Sequence, residues 1–436
     1  MLKAGGVPIY EPHLGALLRS ARKARRISFT SNPAEAIRAA AAIFICTAGT
    51  PGENKETNLS ALDRVARQIA KEARSPKLVI ATGAVPARAS VNLRKILSAH
   101  ANGRSNRFRV ASNPDFLREG TAVSDFFHPD RIVVGVEEDS SASDLRAIYR
   151  AIVERSSTCP VHPQGCPPAR ETEFVVTTIH SAELIKHASD SFLALKISYA
   201  NVLADICEKI GADVETVTHA MGLDPRIGTQ FLNTGLGFGG FCLPDDLQAF
   251  IQWSASVGID FAILKAAERI NEERIDRCLD KVRKALGALQ GKRITIMGLA
   301  FKADTDDIRF APSLRLMQRL LEEGAEVRAS DPEAIARTKA QFPQVSYYAD
   351  SYAALRNADA AIICTDWDIF KTLDWRRAGK VMVRKLVIDG RNLYSHKTML
   401  DLGFEYHSFG RGTSVPAAAI EVPEDSQEIV VPACAL

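Results

Sequence analysis

Apolar positions in this chain recur with two different periods, and their order divides it into three parts. Short apolar runs at Ala42 to Thr47, Lys77 to Ala81, Phe108 to Ala111 and Ile132 to Val136 predict strands. Asn58 to Ala73 and Val91 to Ala101, between them, carry helical spacing. Strands alternating with helices make βαβ units and a parallel sheet. From Thr177 to about Leu289 the strand signal stops, and Ala182 to Gly211 and Ile259 to Leu289 each read as a long helix. Alternation resumes at Arg293, with strands at Ile294 to Met297, Ala325 to Ala329, Ala360 to Cys364 and Lys385 to Ile388, and a helix at Leu314 to Glu323. The expected fold class is α/β: two doubly wound, Rossmann-like parallel-sheet domains joined by a long central helix and a helical region. The expected boundaries are 1–175, 176–289 and 290–411, followed by an aperiodic, disordered tail at 412–436. The opening MLKAGGVPIYEP reads as a loop, with no strand and Gly-rich turn ahead of the first strand.

Composition narrows the class without naming an activity. A chain of 436 residues accommodates two or three domains with proper cores. A net charge of +3 is small for that length, so no nucleic-acid or membrane surface is expected. The apolar segment from Ile37 to Ala48 is too short, and too interrupted by Arg38, to span a bilayer. No secretory signal pattern opens the chain, and the cytoplasm is the expected location. The eight cysteines are scattered, several inside apolar runs, which is reduced usage and not a disulfide framework. One group, Cys159, His162 and Cys166 in CPVHPQGC, has metal-ligand chemistry but lacks a fourth ligand and has unusual spacing. That stretch is read as a Pro-rich surface loop with no metal.

The densest concentration of candidate chemistry is Phe231 to Asp246, FLNTGLGFGGFCLPDD. Glycines permit close backbone approach, and a cysteine ending such a loop is either a nucleophile or an inert buried thiol. The string Gly235 to Gly240 matches G-x-G-x-x-G, but a dinucleotide turn needs a strand before it and a helix directly after, and neither is read here. Lys186 and Asp190 share one face of the long helix, where spacing alone favours a solvated ion pair. Asp115 and Glu119, with Arg118 between, likewise read as surface charges.

Combination changes these readings. IYEP (9–12), AGTP (48–51), SNPDFLREGTAV (112–123), HPDRIVVG (128–135), SAELIKHASDSFLALKISYANVLADICEKIGADV (181–214), GLDPRIG (222–228), GFGGFCLPDD (237–246), GLAFKADTDDIR (298–309) and IDGRNLY (388–394) stand in order. From about Leu2 to Arg411 the chain resembles the UDP-glucose/GDP-mannose dehydrogenase family. The resemblance implies an NAD-binding first domain, a helical dimerisation centre and a third domain that binds a UDP-sugar. It implies oxidation of UDP-glucose at C6 to UDP-glucuronate, with two NAD+ and one water, in a homodimer. Cys242 would be the nucleophile, passing through a thiohemiacetal and a thioester. Lys186 would stabilise the oxyanion and Asp246 would manage protons, with Asp115 completing the catalytic set. Sugar-nucleotide contacts would come from Asp115, Phe116, Leu117, Arg118 and Glu119, and from Lys186 and Asp190. Phe231, Leu232, Asn233, Thr234, Gly235 and Gly239 would add others, as would Lys302, Arg391 and a partner-supplied Arg226. Thr50, Ala84, Glu119, Asp245 and Arg309 would meet NAD.

The chain also departs from the family pattern. The family's opening strand, G-x-G-x-x-G turn, helix and second strand have no counterpart, so the first domain reads as truncated, with an unpaired sheet edge near Ile43 to Thr47. Ala84 replaces a threonine, Asp115 a glutamate, Asp190 an asparagine and Asp245 a lysine. An anion at position 190 has the wrong sign beside a developing oxyanion. Little turnover is therefore expected. The alternatives are a catalytically impaired relative that binds a UDP-sugar or pairs with an active subunit, and a different sugar nucleotide such as GDP-mannose or a UDP-N-acetylhexosamine.

Overall fold

The computed structural model describes residues 1–46, 50–51, 57–58, 60–83, 89–101, 107–156, 159–162, 164, 166 and 171–411; the tail read as disordered lies outside them. In the first domain the strands are β1 (Ala42–Ile45), β2 (Thr50–Pro51), β3 (Thr57–Asn58), β4 (Lys77–Thr82), β5 (Phe108–Asn113), β6 (Arg131–Gly135) and β7 (Glu173–Thr177). Five form one sheet in the order β1-β4-β5-β6-β7, while among the described residues β2 and β3 pair with each other. Residues alternate across β4: Val79 and Ala81 meet the helices Ser60–Glu72 and Ala89–His100, whereas Leu78 and Ile80 meet Leu145 and Ile152 of the helix Asp139–Val153. β1 stands at one edge, with Phe44 37% exposed.

The alternation of apolar runs predicted this sheet, and the structure adds three features. β6 joins β5 antiparallel, through Ser112 and Gly135, inside an otherwise parallel sheet. β7 was not predicted, because an edge strand that buries little carries a weak apolar signal. The opening segment contains a 3-10 turn, Leu2–Ala4, and two unpredicted helices follow, Leu14–Lys23 and Pro33–Ala39, of which only Leu18 and Ile37 are buried.

The central helix runs from Ile179 to Ile210, capped by the Thr178 hydroxyl at its start and ended by Gly211 in the left-handed region. One face buries Lys186, Asp190, Ala194, Ser198, Asn201, Ala204 and Cys207. The opposite face leaves Phe192, Tyr199, Ile206 and Ile210 exposed. The helices Cys242–Ser256 and Ala262–Leu286 pack against it.

The third domain adds β8 (Arg293–Met297), β9 (Glu326–Ser330), β10 (Ser346–Tyr348), β11 (Ala360–Ile363), β12 (Leu386–Asp389) and β13 (Glu405–His407). All six are parallel, in the order β10-β9-β8-β11-β12-β13. That is the doubly wound order 3-2-1-4-5-6, whose ligand crevice opens where the winding reverses, beyond the ends of β8 and β11. Lys302 stands on the loop after β8 and Arg391 just after β12.

The glycine loop docks into this domain at backbone-to-backbone distance. A Cβ on Gly235 would lie 2.0 Å from the Gly390 carbonyl oxygen, and one on Gly240 would lie 2.6 Å from the Phe301 ring. Gly235 N–H donates to Asn201 Oδ1 at 2.9 Å, and its carbonyl accepts from Arg274 Nε at 3.1 Å. Arg391 completes the joint, donating to the carbonyls of Cys364 (2.7 Å), Gly237 (3.0 Å) and Phe301 (3.3 Å). Gly235→Ala is expected to lower stability by roughly 2 kcal/mol or more, through overpacking against a backbone that has no free rotamer to yield. The measurement is urea unfolding, and an unchanged midpoint would contradict this account of the joint.

Candidate active site at the start of the Cys242 helix

Cys242 is the first residue of the helix Cys242–Ser256, immediately after the glycine loop. A helix thus does follow the G-x-G-x-x-G string, contrary to the sequence reading, and Pro244 is accommodated in its first turn. The strand is still missing: Phe231 to Thr234 is irregular, with Phe231 itself at φ 63°. The Cβ directions of these glycines point into protein, so the string is packing and not a phosphate cradle.

Four ionisable side chains gather around the thiol, all on two helices. Lys186 Nζ lies 2.9 Å from Asp190 Oδ2, and both side chains are almost entirely buried. His187 Nδ1 lies 3.4 Å from Asp246 Oδ1, each 2% exposed. The pair is therefore not the solvated contact that spacing suggested, and the helix Cys242–Ser256 is what covers it. Burial pulls Lys186 down, but Asp190, Asp246 and Asp115 outweigh it and hold the ammonium above its ordinary value. Burial raises Asp190 to about 6 despite Lys186. Asp246 feels the same burial, yet His187, Asp190 and Lys186 hold it below the usual carboxylate range. At neutral pH Asp246 is firmly ionised, and Asp190, raised only to about 6, is an anion as well.

Cys242 is half-buried, and burial pushes its thiol up to about 12. Lys186 pulls the other way, while Asp246, Asp190 and Glu119 add to the rise. The helix N-terminus favours thiolate, but these groups leave the resting side chain as a thiol. Next to it Asp245 is raised to about 6 by burial and by Asp246, with His187 and Arg309 opposing.

The first domain reaches the same place through the loop after β5. Phe116 lies under Arg131, whose Cζ is 3.8 Å from the ring centroid, and 5.8 Å from Lys186 Nζ. Glu119 binds the third domain: its carbonyl accepts from Lys302 Nζ, its Oε1 from Arg309 at 3.2 Å and its Oε2 from Thr305 at 3.4 Å. Burial and Asp307 raise its carboxyl to about 7. Arg309 also lies 4.6 Å from the Phe241 ring. Glu119 and Arg309 thus link all three parts beside Cys242.

Other predicted residues lie elsewhere or are already engaged. Arg118 is clamped to Asp125 by three hydrogen bonds. Arg226 is clamped to Asp224 with its side chain 87% exposed. Arg391 spends its nitrogens on backbone carbonyls, Gly235 has both backbone polar groups bonded, and a Cβ on Gly239 would meet the Phe310 carbonyl at 2.4 Å. Leu232 is buried, Thr234 accepts from Asn392, and Leu117 and Asn233 face solvent. Ala84 and the side chain of Thr50 lie outside the described residues.

The sequence reading missed His187, Arg274 and Glu11. Their signal is three-dimensional: Glu11 accepts from Gly120 N–H at 2.7 Å and Tyr10 N–H donates to Asp306 at 3.2 Å, tying the opening segment to two domains.

Two doubly wound domains flanking a helical centre, with a cysteine, a lysine and carboxylates at the junction, define a dehydrogenase architecture. Three family descriptions match in succession. The NAD binding domain of the UDP-glucose/GDP-mannose dehydrogenase family covers residues 1–153, its central domain 180–273 and its UDP binding domain 295–396. The chain is 37% identical to the UDP-glucose 6-dehydrogenase YwqF of Bacillus subtilis, over 96% of this chain and 91% of that one. It is 39% identical to the UDP-glucose 6-dehydrogenase of Rickettsia felis, over 95% and 89%. A solved UDP-glucose dehydrogenase from Pyrobaculum islandicum superposes with a TM-score of 0.84 at 35% identity, covering 94% of this chain and 89% of that one. This chain belongs to the UDP-glucose/GDP-mannose dehydrogenase family, whose members are NAD-dependent dehydrogenases.

NAD is the family's cofactor, and the described residues fit it only in part. Gly83, at φ 86° after β4, and the Asp115 loop after β5 lie at the sheet end that faces Lys186. The N-terminus of the helix Ala89–His100 is taken by Glu183, which accepts from Ser90 N–H at 3.0 Å. No glycine-rich turn after a strand in the first domain is found among the described residues to take a pyrophosphate.

Asp190→Asn removes one of the anions that raise the Cys242 thiol. Mass-spectrometric alkylation of the Cys242 peptide near pH 8 is expected to quicken by about three- to tenfold, the thiolate gain from a shift of up to one pKa unit. An unchanged rate would show that Asp190 does not hold the proton on sulfur.

Proposed function

We propose that this chain oxidises the C6 alcohol of UDP-glucose to the carboxylate, with reduction of two NAD+ and consumption of one water. The observation that carries the reading is the position of Cys242, at a helix start beside the buried Lys186 ammonium. The winding reversal of the third domain, with Lys302 near it, supplies a crevice for the UDP moiety, in keeping with the UDP binding domain matched there. When bound, the nicotinamide supplies the hydride acceptor. The C6 hydroxyl proton passes to water, and Lys186 stabilises the resulting alkoxide as hydride leaves C6, and later the oxyanion formed when Cys242 Sγ adds to the aldehyde. The thiol proton passes to a neighbouring group, for which the ionised Asp246 is the candidate. Loss of the second hydride leaves a thioester. Water displaces the sulfur, releasing the carboxylate and restoring the thiol.

One feature favours a slower version of this chemistry. Asp190 sits 2.9 Å from the very ammonium that must meet the oxyanion, and it also raises the Cys242 thiol. A catalytically impaired chain that retains UDP-sugar binding is therefore the second reading. The exposed stripe Phe192, Tyr199, Ile206 and Ile210 on the central helix supports a homodimer through that face.

NADH formation from UDP-glucose is expected to be slow, to be abolished in Cys242→Ala and to rise in Asp190→Asn. Calorimetry with UDP-glucose alone is expected to detect binding in all three. Absence of binding would overturn the substrate, whereas binding with no turnover in wild type or Asp190→Asn would establish the second reading.

A further inference from the structure

The stretch read from sequence as a metal-free surface loop acquires its fourth ligand in the fold. His128, from the segment between the helix Ala122–Phe127 and β6, enters the group formed by Cys159, His162 and Cys166. His128 Nε2 lies 3.1 Å from Cys159 Sγ and 3.4 Å from Cys166 Sγ, and Cys159 Sγ lies 3.5 Å from His162 Nδ1. All four ligand atoms fall within 4.8 Å of one another. Zinc bonds of about 2.3 Å to sulfur and 2.0–2.1 Å to nitrogen, arranged tetrahedrally, place neighbouring ligand atoms roughly 3.3–3.8 Å apart. The cluster is already close to the size of a coordination shell.

We propose that these four residues bind a structural zinc ion, separate from the site at Cys242. Two thiolates and two neutral imidazoles balance the dication, and a set of two sulfurs and two nitrogens selects zinc over hard oxygen-seeking cations. Four protein ligands complete the tetrahedron, so no position remains open for a reactive water. Cys159 is buried while Cys166 is exposed, which leaves a route for metal entry. The ligands come from two segments 31 residues apart, and the ion joins them where Thr172 also donates to the Pro129 carbonyl at 2.8 Å. Because β6 runs antiparallel to β5, that joint lies at the sheet end carrying the Asp115 loop. Three residues beyond His128, Arg131 stacks on Phe116, which itself faces Lys186. The ion therefore fixes the base of a segment that shapes the reacting end of the first domain.

The test uses the full chain, expressed without a metal-affinity tag and purified without chelators. Elemental mass spectrometry is expected to find about one zinc per chain. Cobalt added to reduced, metal-stripped protein is expected to give the visible bands of a tetrahedral site with thiolate-to-metal charge transfer. Cys159→Ser combined with Cys166→Ser is expected to lose both signals, and Cys242→Ser to keep them. Should the double variant fail to fold, His128→Cys provides the conservative check, retaining the metal with stronger charge transfer from a third thiolate. The proposal is overturned by wild-type protein that neither carries zinc nor shows a tetrahedral cobalt spectrum, by a Cys159–Cys166 disulfide in protein taken from reducing cells, or by metal that persists in the double variant.

Discussion

The close approach of the glycine loop to the third domain is the constraint from which the site follows. With the Gly390 carbonyl standing where a Gly235 Cβ would be, the loop has one seat. Arg274, fully buried and paired with Asp205 at 2.8 Å, reaches the same loop from the helix behind it. Arg391 reaches it from in front. The helix that begins at Cys242 inherits its position from that seat, and so does the cover over Lys186 and Asp190. Residues that the family resemblance assigns to the ligand, Gly235 and Arg391 above all, here have most of their bonding capacity used within the protein. Their first effect is on where Cys242 stands.

Burial sets the electrostatics of that position. Two helices enclose one ammonium, an imidazole, three carboxyls and a thiol, and burial acts on the ammonium, the carboxyls and the thiol alike. Lys186 and Asp246 keep their charges because each faces opposite or shareable charge. Asp190, Asp245 and Cys242 are pushed toward their neutral forms. The arrangement favours an anion near Lys186 once Asp190 is neutral or displaced, which is the condition an oxyanion would meet. Asp190 is therefore the group that competes most directly for the ammonium, which it meets at 2.9 Å.

Much of this was legible in the sequence, and the reasons differ between its parts. Four of the six third-domain strands showed, most clearly Ala360–Ile363 and Leu386–Asp389, which are buried on both faces and so are continuous apolar runs, whereas the short edge strands β10 and β13 did not. β7, the short early helices and the reversed direction of β6 did not show, since edge burial and strand direction leave little trace in local periodicity. Cys242 and Lys186 were legible through motif order. Their burial was not, because the spacing of Lys186 and Asp190 reads the same on a wet helix as on a covered one. His128 was written inside a recognised motif, HPDRIVVG, yet its partnership with Cys159 crosses a helix and a strand and has no local signature.

Three separate ties converge on the loop from Asn113 to Gly120, and together they explain how a short segment can serve both neighbouring domains. Glu11 holds Gly120 from the opening segment, Lys302 and Arg309 hold Glu119 from the third domain, and Arg131 holds Phe116 from the strand beyond. Each tie comes from a different element, so the loop is fixed at its end, its charged tip and its aromatic base. Lys186 feels the Asp115 carboxylate of this loop and also meets Phe116, whose ring face attracts the ammonium without neutralising it. A second carboxylate of the loop at that contact would have deepened the excess of negative charge already made by Asp190, Asp246 and Asp115. An aromatic face keeps the ammonium in place while leaving its charge available to whatever anion forms beside Cys242.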